Sequence, residues 1–391
     1  MTSTCAVCLN SNLEEMLSFP NFPLTGIFSK SPMEDKIEGI DLSLLTCLDC
    51  NHVQLSQQVS PNSLYNSNYH FRTSSSTTSK QGTDFFLSAL NDIAGNYTFN
   101  CVLDLGCNDA HLLRKLKGKA ENRVGIDPIW AEKENQDEEE ITIFGETIEN
   151  IDLFSALPEQ PDLIVCRHTL EHIWHPRKAI KKLIDISSDN TLLLFEVPGF
   201  IPLISKYRFD QIFHQHLQYF TVDTFTRLIG ECGCTYLAHW ENYHHWGSFV
   251  IAFKKETNAN SQRTKSNMEN KILKRTQSQY AVFRQQMATL ETVLKSFEDK
   301  IIYGYGAAQM LPSLAYHMKS DLSILKSVLD DDSEKDGLYY WNLPLSISQT
   351  NSIKNLDKVS ILITAVDNAK PIISRLLDLR PQHIIYPFNI I

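Results

Sequence analysis

No stretch of this sequence reaches the roughly 18 consecutive apolar residues that a membrane-spanning helix requires, so no transmembrane segment is expected. The opening MTSTCAVCLN lacks the basic-then-apolar order of a secretory leader, and a cytoplasmic location is the expectation. Positive charge is scarce, with 36 Lys and Arg against 46 Asp and Glu and a net charge of −10. A broad phosphate-binding surface is thereby disfavoured and nucleic acid is not an expected partner, although a local basic pocket for one diphosphate would not show in the total. Glycine and proline number only 15 each in 391 residues, too few for a disordered chain.

What is present is the composition of a globular protein, 42% hydrophobic and 21% charged, at a length that suggests two or three domains. Residues 1–75 hold two CxxC pairs and end in the aromatic and hydroxyl-rich stretch YNSNYHFRTSSSTTSK, which reads as loop. Residues 76–254 alternate the apolar runs CVLDLG, RVGID, ITIFG, DLIVC and TLLLFEVP with helical patterns such as HLLRKLKG and RKAIKKLIDIS. Short buried strands separated by amphipathic helices predict an α/β domain with a doubly wound parallel sheet. Residues 255–299 combine a polar linker, within KKETNANSQRTKSNMEN, with one long helix over ILKRTQSQYAVFRQQMATLETVLKSFEDK, which contains no Gly or Pro. Residues 300–391 open a second strand–turn–helix pattern with IIYGYGAAQMLPSLAYHM and continue through SILKSVLDDD, VSILITAV and HIIYPF, so a smaller α/β domain is expected there. No feature signals a particular oligomer, and a monomer or small homo-oligomer is expected.

Cys5, Cys8, Cys47 and Cys50 form C-x2-C, a gap of 38 residues, and C-x2-C. A two-residue spacer turns both thiolates of a knuckle toward one cation, and two knuckles complete the tetrahedral sulfur shell that zinc prefers. With four protein ligands and no open position, the expected role is structural. Neither pair follows a strand at a helix start, as a redox CxxC would.

Residues 102–110, VLDLGCNDA, place a hydrophobic strand, an acid and a glycine turn directly before a helix. Glycine lets backbone approach a ligand closely, and open α/β sheets bind ligands at the carboxyl ends of their strands. About 20 residues on, VGIDP ends a second strand with Asp127, placed to accept from ribose hydroxyls. The dinucleotide signature G-x-G-x-x-G is absent, and a phosphate-free adenosyl ligand does not need it. An acid in D-x-G-x-N suits a cationic cofactor bearing an amino group. Asp104 and Gly106 resemble the first motif of class I methyltransferases, Asp127 resembles their ribose-binding acid, and RHTLEHI after the fourth strand is similar to a segment many of them carry. That resemblance implies S-adenosylmethionine as cofactor, with Asp104, Gly106, Asn108, Asp127 and His168 around it. Ala110 stands where the family usually has glycine.

The wider pattern resembles the sugar C-methyltransferase family: CLDCNHVQLS, LYNSNYHF, LDLGCNDAHLL, GIDP, Glu196-Val197-Pro198, FDQIFHQHLQYFT, Gly247-Ser248, YGYGAA and LDDDSEKDG occur in its order across nearly the whole chain. The resemblance implies an N-terminal zinc module, a central methyltransferase domain with a mixed seven-stranded sheet, and a C-terminal Rossmann-like domain that helps hold the substrate's nucleotide through Gly304, Tyr305 and Gly306. It makes His216 the general base and His172 a second active-site histidine. The family reads Tyr-His-Glu-His where this chain reads Phe213-His214-Gln215-His216, so a phenol and a carboxylate are lost beside the base. His172 or His214 is then the donor to a developing oxyanion, and Phe213 and Gln215 line the acceptor.

The activity so implied is C-methylation at C-3 of a nucleotide diphosphate-linked 4-keto-6-deoxy sugar. A hydrogen next to a ketone is acidic because its removal gives an enolate, and an imidazole of ordinary pKa can remove it at neutral pH. Two other readings stay open: an O- or N-methyltransferase acting on a related acceptor, and a degenerate relative that binds cofactor or nucleotide-sugar without turnover.

Overall fold

The computed structural model describes residues 2–35, 37–60, 73–131, 140–245, 247–256, 271–297 and 300–388. At the N-terminus lie β1 (Leu13–Phe22), β2 (Phe28–Ser29), β3 (Ile40–Cys47) and β4 (Val53–Leu55). β3 alternates as a strand with one buried face should, sending Leu42, Leu44 and Thr46 inward.

The central domain contributes β5 (Phe99–Leu105), β6 (Ala120–Ile126), β7 (Ile141–Phe144), β8 (Leu163–Arg167), β9 (Leu192–Pro198), β10 (Gln218–Tyr219), β11 (Cys234–Asn242) and β12 (Ser248–Lys255). Seven of them form one sheet in the order β11-β12-β9-β8-β5-β6-β7. The five from β5 to β9 are parallel and mostly apolar, as strands covered on both faces are; β12 is antiparallel to its neighbours β9 and β11, which makes the sheet mixed. Strand order reverses between β5 and β8, the position where such sheets bind ligands. This is the fold of the class I methyltransferases.

A helix over Lys271–Lys295 buries Ile272, Thr276, Phe283, Met287, Leu290 and Leu294 at helical spacing. β13 (Ile302–Tyr305), β14 (Leu325–Asp330), β15 (Tyr339–Tyr340), β16 (Ile347–Gln349), β17 (Ser360–Ile363) and β18 (His383–Ile385) follow. Five of these make a wholly parallel sheet, β16-β14-β13-β17-β18, whose order reverses between β13 and β17.

The three parts interlock. β10, from the central segment, is the fourth strand of the N-terminal sheet β1-β3-β4-β10, and β2 pairs with β15. One hydrophobic cluster joins Phe19 and Phe22 of β1, Phe209 and Phe213, and Phe283 and Leu314. The stretch expected as loop up to Lys80 is corrected at its end: a helix starts at Thr77, because the Ser76 hydroxyl caps it by accepting from the Ser79 N–H at 3.2 Å. LYNSNYHF and most of the expected linker lie outside the described residues. Lys254 and Lys255 belong to β12 instead of the linker, and the Lys255 ammonium donates to the carbonyls of Ile184 and Ser187. No helix among the described residues is long and apolar enough to cross a membrane.

Candidate active site

β5 delivers a buried Asp104, 3% exposed, to the reversal point of the sheet. Burial lifts its carboxyl to about 7; Arg167 pulls it down and Asp127 pushes it further up. The next turn needs its glycine. Gly106 has φ +77, and a Cβ there would sit 1.9 Å from the Thr169 hydroxyl, so the turns after β5 and β8 touch. Asp127, at the end of β6, is held by two backbone N–H groups: Asn108 donates to Oδ2 at 2.8 Å and Ile129 to Oδ1 at 3.0 Å. A carboxylate oxygen can accept more than one hydrogen bond, which suits this acid to a ribose hydroxyl. Asn108 accepts the Thr73 N–H on its side chain and the Trp130 indole N–H on its carbonyl. Ala110 adopts the left-handed conformation, φ +57, at the start of the next helix.

The turn after β8 carries His168, Glu171 and His172. Burial opposes charge on His168, but Glu196 and Glu171 outweigh it and raise its pKa to about 9, so this ring is an imidazolium at neutral pH. It stands 3.6 Å from Glu171 and 3.5 Å from Glu196, whose carboxylate also takes Arg167, Asn242 and Ser248. The expected cofactor histidine is therefore tied to two glutamates.

The segment following the short helix at Phe209–Gln211 brings His216 to His172, with ring centroids 4.9 Å apart. Two bonds fix this meeting: His172 Nδ1–H donates to the Gln215 carbonyl at 2.8 Å, and the Leu217 N–H donates to the Glu171 carbonyl at 2.7 Å. Phe213 lies against the His216 ring at 4.2 Å. Burial holds the His216 pKa well below its ordinary value, and the nearby charges of His172 and His168 add to this. Gln215 is 8% exposed; its side chain lies beside Gly26, and its amide nitrogen has no hydrogen-bond partner among the described residues. His214 does not join the pair. Its Nε2 meets the Ile40 carbonyl at 3.0 Å, it faces Phe22, and burial lowers its pKa to about 4.

The four cysteines converge. Cys5 and Cys50 sulfurs are 3.6 Å apart, Cys8 and Cys47 sulfurs 3.5 Å, and all four lie within 4.8 Å of one another. Zinc at about 2.3 Å from each sulfur would set them roughly 3.8 Å apart, so the donor set fits this ion. The thiols also resist ionising together: a hydrogen bond with Cys47 holds Cys8 below its usual range and holds Cys50 above it, and a shared cation removes that conflict. Glu171, His172 and His216 also approach within 4.8 Å, but the His168 imidazolium already neutralises that carboxylate.

In the C-terminal domain, Gly304 lies within β13 and Gly306 directly follows it, at the reversal point of the sheet. A Cβ at Gly306 would lie 2.3 Å from Ala365 Cβ, and one at Gly304 would lie 3.0 Å from Thr364, so both glycines serve close packing on the turn after β17. The Ala307 N–H donates to Asp330 at 2.6 Å, and the Tyr305 hydroxyl donates to Asp331 at 3.0 Å.

Residues 79–239 match the family described as "Methyltransferase domain", and residues 5–65 match one described as "Putative zinc binding domain". The central domain is a methyltransferase domain. The zinc-binding domain precedes it and contains all four cysteines. C-methyltransferase NovU of Streptomyces niveus is 23% identical over 252 residues, which cover 63% of this chain and 59% of that relative. Among solved structures, N-methyltransferase NodS of Bradyrhizobium japonicum, in complex with S-adenosyl-L-homocysteine, aligns with 46% of this chain and 88% of its own at 14% identity and a TM-score of 0.36. A S-adenosylmethionine-dependent methyltransferase from Clostridium acetobutylicum aligns with 45% and 92% at 14% identity and the same TM-score.

Several contributors lie inside segments that carried the resemblance, RHTLEHI, Glu196-Val197-Pro198 and CLDCNHVQLS, but had no role assigned from the sequence. Thr169 acts through its contact with Gly106, Glu171 and Glu196 through His168, and His52 through Gln218; all but the His168–Glu171 pair join distant segments.

Proposed function

We propose that this protein transfers a methyl group from S-adenosylmethionine to C-3 of a nucleotide diphosphate-linked 4-keto-6-deoxy sugar. The observation that carries the reading is the meeting of His216 with His172, on the same turn after β8 whose Thr169 touches Gly106. The likeness to C-methyltransferase NovU supports a carbon acceptor.

Asp104, Asp127 and the backbone from Gly106 to Asn108 would hold the cofactor, which supplies an electrophilic methyl group when bound. The buried Asp104 suits a ligand cation, since ionising it without one is costly. His216, kept neutral by its surroundings, takes the proton from the carbon beside the ketone. The enolate left behind would form a carbon–carbon bond to the cofactor's methyl group as the sulfur–methyl bond breaks and S-adenosylhomocysteine leaves, and approximation would supply much of the acceleration. With its Nδ1–H committed to the Gln215 carbonyl, His172 would donate to the oxyanion from Nε2 as an imidazolium, the form in which both ring nitrogens carry protons. Phe213 and Gln215 border the acceptor, and the C-terminal domain takes the nucleotide.

The test is mass spectrometry of protein incubated in deuterated water with S-adenosylmethionine and a panel of dTDP-, GDP- and CDP-linked 4-keto-6-deoxy sugars. A gain of one methyl with loss of the α-hydrogen is expected. Methyl transfer without exchange of that hydrogen would assign an oxygen or nitrogen acceptor instead. Cofactor binding with neither exchange nor transfer across the panel would overturn the sugar reading.

A further inference from the structure

The second cysteine knuckle is also the turn of the β3–β4 hairpin. The Cys47 N–H donates to the His52 carbonyl at 2.8 Å, and the Asn51 N–H to the Cys47 carbonyl at 2.8 Å, with Asn51 left-handed at φ +61. The first knuckle is tied to the same hairpin: the Gln54 amide accepts from the Ala6 N–H and donates to the Thr4 carbonyl. A metal on the four sulfurs thus fixes the hairpin from both knuckles.

β4 then pairs with β10, matching Gln54 with Gln218 and Val53 with Tyr219, and the Leu55 N–H donates to the Leu217 carbonyl. The side chain of Gln218, 3% exposed, donates to the carbonyls of Ile173 and Trp174, so its oxygen must be the atom 2.9 Å from His52 Nε2. His52 is 0% exposed and donates from that nitrogen. Gln218 sits two residues after His216, and its carbonyl partners sit one and two residues after His172. It therefore holds both ends of the His172–Gln215 contact.

We propose that the zinc-binding knuckle positions the histidine pair, with His52 and Gln218 as positioning residues, so that a metal bound in one domain sets the geometry of the reaction centre in another. This rests on the reading of the pair as the reaction centre. The cofactor residues Asp104, Gly106 and Asp127 are set instead by β5, β6 and the turn after β8, so cofactor affinity is independent of the coupling. Removal of the His52 donor leaves the Gln218 oxygen buried without a partner and frees the amide to turn.

The test compares zinc-loaded wild type, His52→Phe and His52→Gln by long-range ¹H–¹⁵N imidazole spectra at pH 8, alongside zinc content and calorimetric binding of S-adenosylmethionine. None of these needs the acceptor, so the outcome is separate from the sugar reading. Wild type is expected to show His172 as a single tautomer protonated at Nδ1. The facing groups, His168, Glu171 and His216, are common to all three proteins. In His52→Phe the single-tautomer signature is lost to an exchange-averaged shift while zinc and cofactor binding persist, and in His52→Gln, which keeps an amide donor, the signature returns. An unchanged His172 signature in His52→Phe overturns the proposal. Loss of zinc or cofactor binding together with the signature in both variants makes His52 a folding residue and also overturns it.

Discussion

Gly106 and Thr169 are so closely seated that a single added methyl at Gly106 would lie 1.9 Å from the Thr169 hydroxyl oxygen and 2.9 Å from its Cβ. The two turns that flank the reversal point of the sheet are therefore one unit. Gly106→Ala meets both this clash and a left-handed φ, which costs an alanine about 1–2 kcal/mol. S-adenosylmethionine affinity is expected to fall by about tenfold or more for a change of that size. Thr169→Ala should be nearly silent alone and should restore part of the loss in the double variant, a coupling of about 1 kcal/mol. Calorimetric dissociation constants for the four proteins give the cycle, and strictly additive effects would mean the turns are set independently.

Asp104 predicts a pH dependence of cofactor binding. Its carboxyl is raised to about 7 by burial, with Arg167 opposing and Asp127 assisting. A cationic cofactor prefers the ionised form, so affinity is flat above pH 7 and weakens as pH falls through that value, approaching about tenfold per unit. The stability effect has the opposite sense. The folded-state pKa lies above the unfolded one, so Asp104 favours the fold at low pH, and that contribution is lost as pH rises toward 7. Asp104→Asn should bind the cofactor weakly and without the slope; a slope retained in that variant would assign it to another group.

The sequence made β5, β6 and β8 legible because strands buried on both faces contain short apolar runs that end at turn residues, and the cysteine spacing made the metal site legible because two-residue knuckles are local. The histidine segment was not legible in the same way. In an extended strand His214 and His216 would share one face, yet the chain has no strand from Phe213 to His216, so His214 turns to Ile40 and His216 to His172. β10 is two residues long, and its link to the zinc-binding module, from His52 to Gln218, spans 166 residues. Pairings at that separation leave no period to read. The meeting of Glu196 with His168, 28 residues apart, was hidden for the same reason.

Arg208 joins the central and C-terminal domains by a bidentate pair with Asp210 at 2.8 and 2.7 Å and a bond to Asp367 at 2.7 Å. Burial disfavours its charge, but the two carboxylates hold its pKa above the ordinary arginine range. Arg208→Met would leave Asp210, 2% exposed, buried without its ion partner, a loss of about 3–5 kcal/mol. Asp367, with a side chain 40% exposed, is screened by water, and Asp367→Asn should cost under about 1 kcal/mol. Urea midpoints test the contrast, and equal shifts for the two variants would refute it.

His216 and His172 should separate chemistry from binding. Truncating a general base typically costs about 10²–10⁴ in rate, so His216→Ala is expected to lose that much of kcat on whichever sugar nucleotide the panel identifies, while cofactor affinity is unchanged. His172→Phe keeps a ring against His216 but removes both nitrogens, and it should lower kcat more than it raises KM for the sugar. Because burial, aided by His172 and His168, holds the His216 pKa well below its ordinary value, the base is already neutral at pH 6.5. At saturating cofactor the acidic limb of kcat should therefore lie well below the limb near 7 that Asp104 imposes on kcat/KM for the cofactor. A His216→Ala enzyme with wild-type kcat removes the base assignment, and a kcat limb coinciding with the Asp104 limb transfers the controlling titration away from His216.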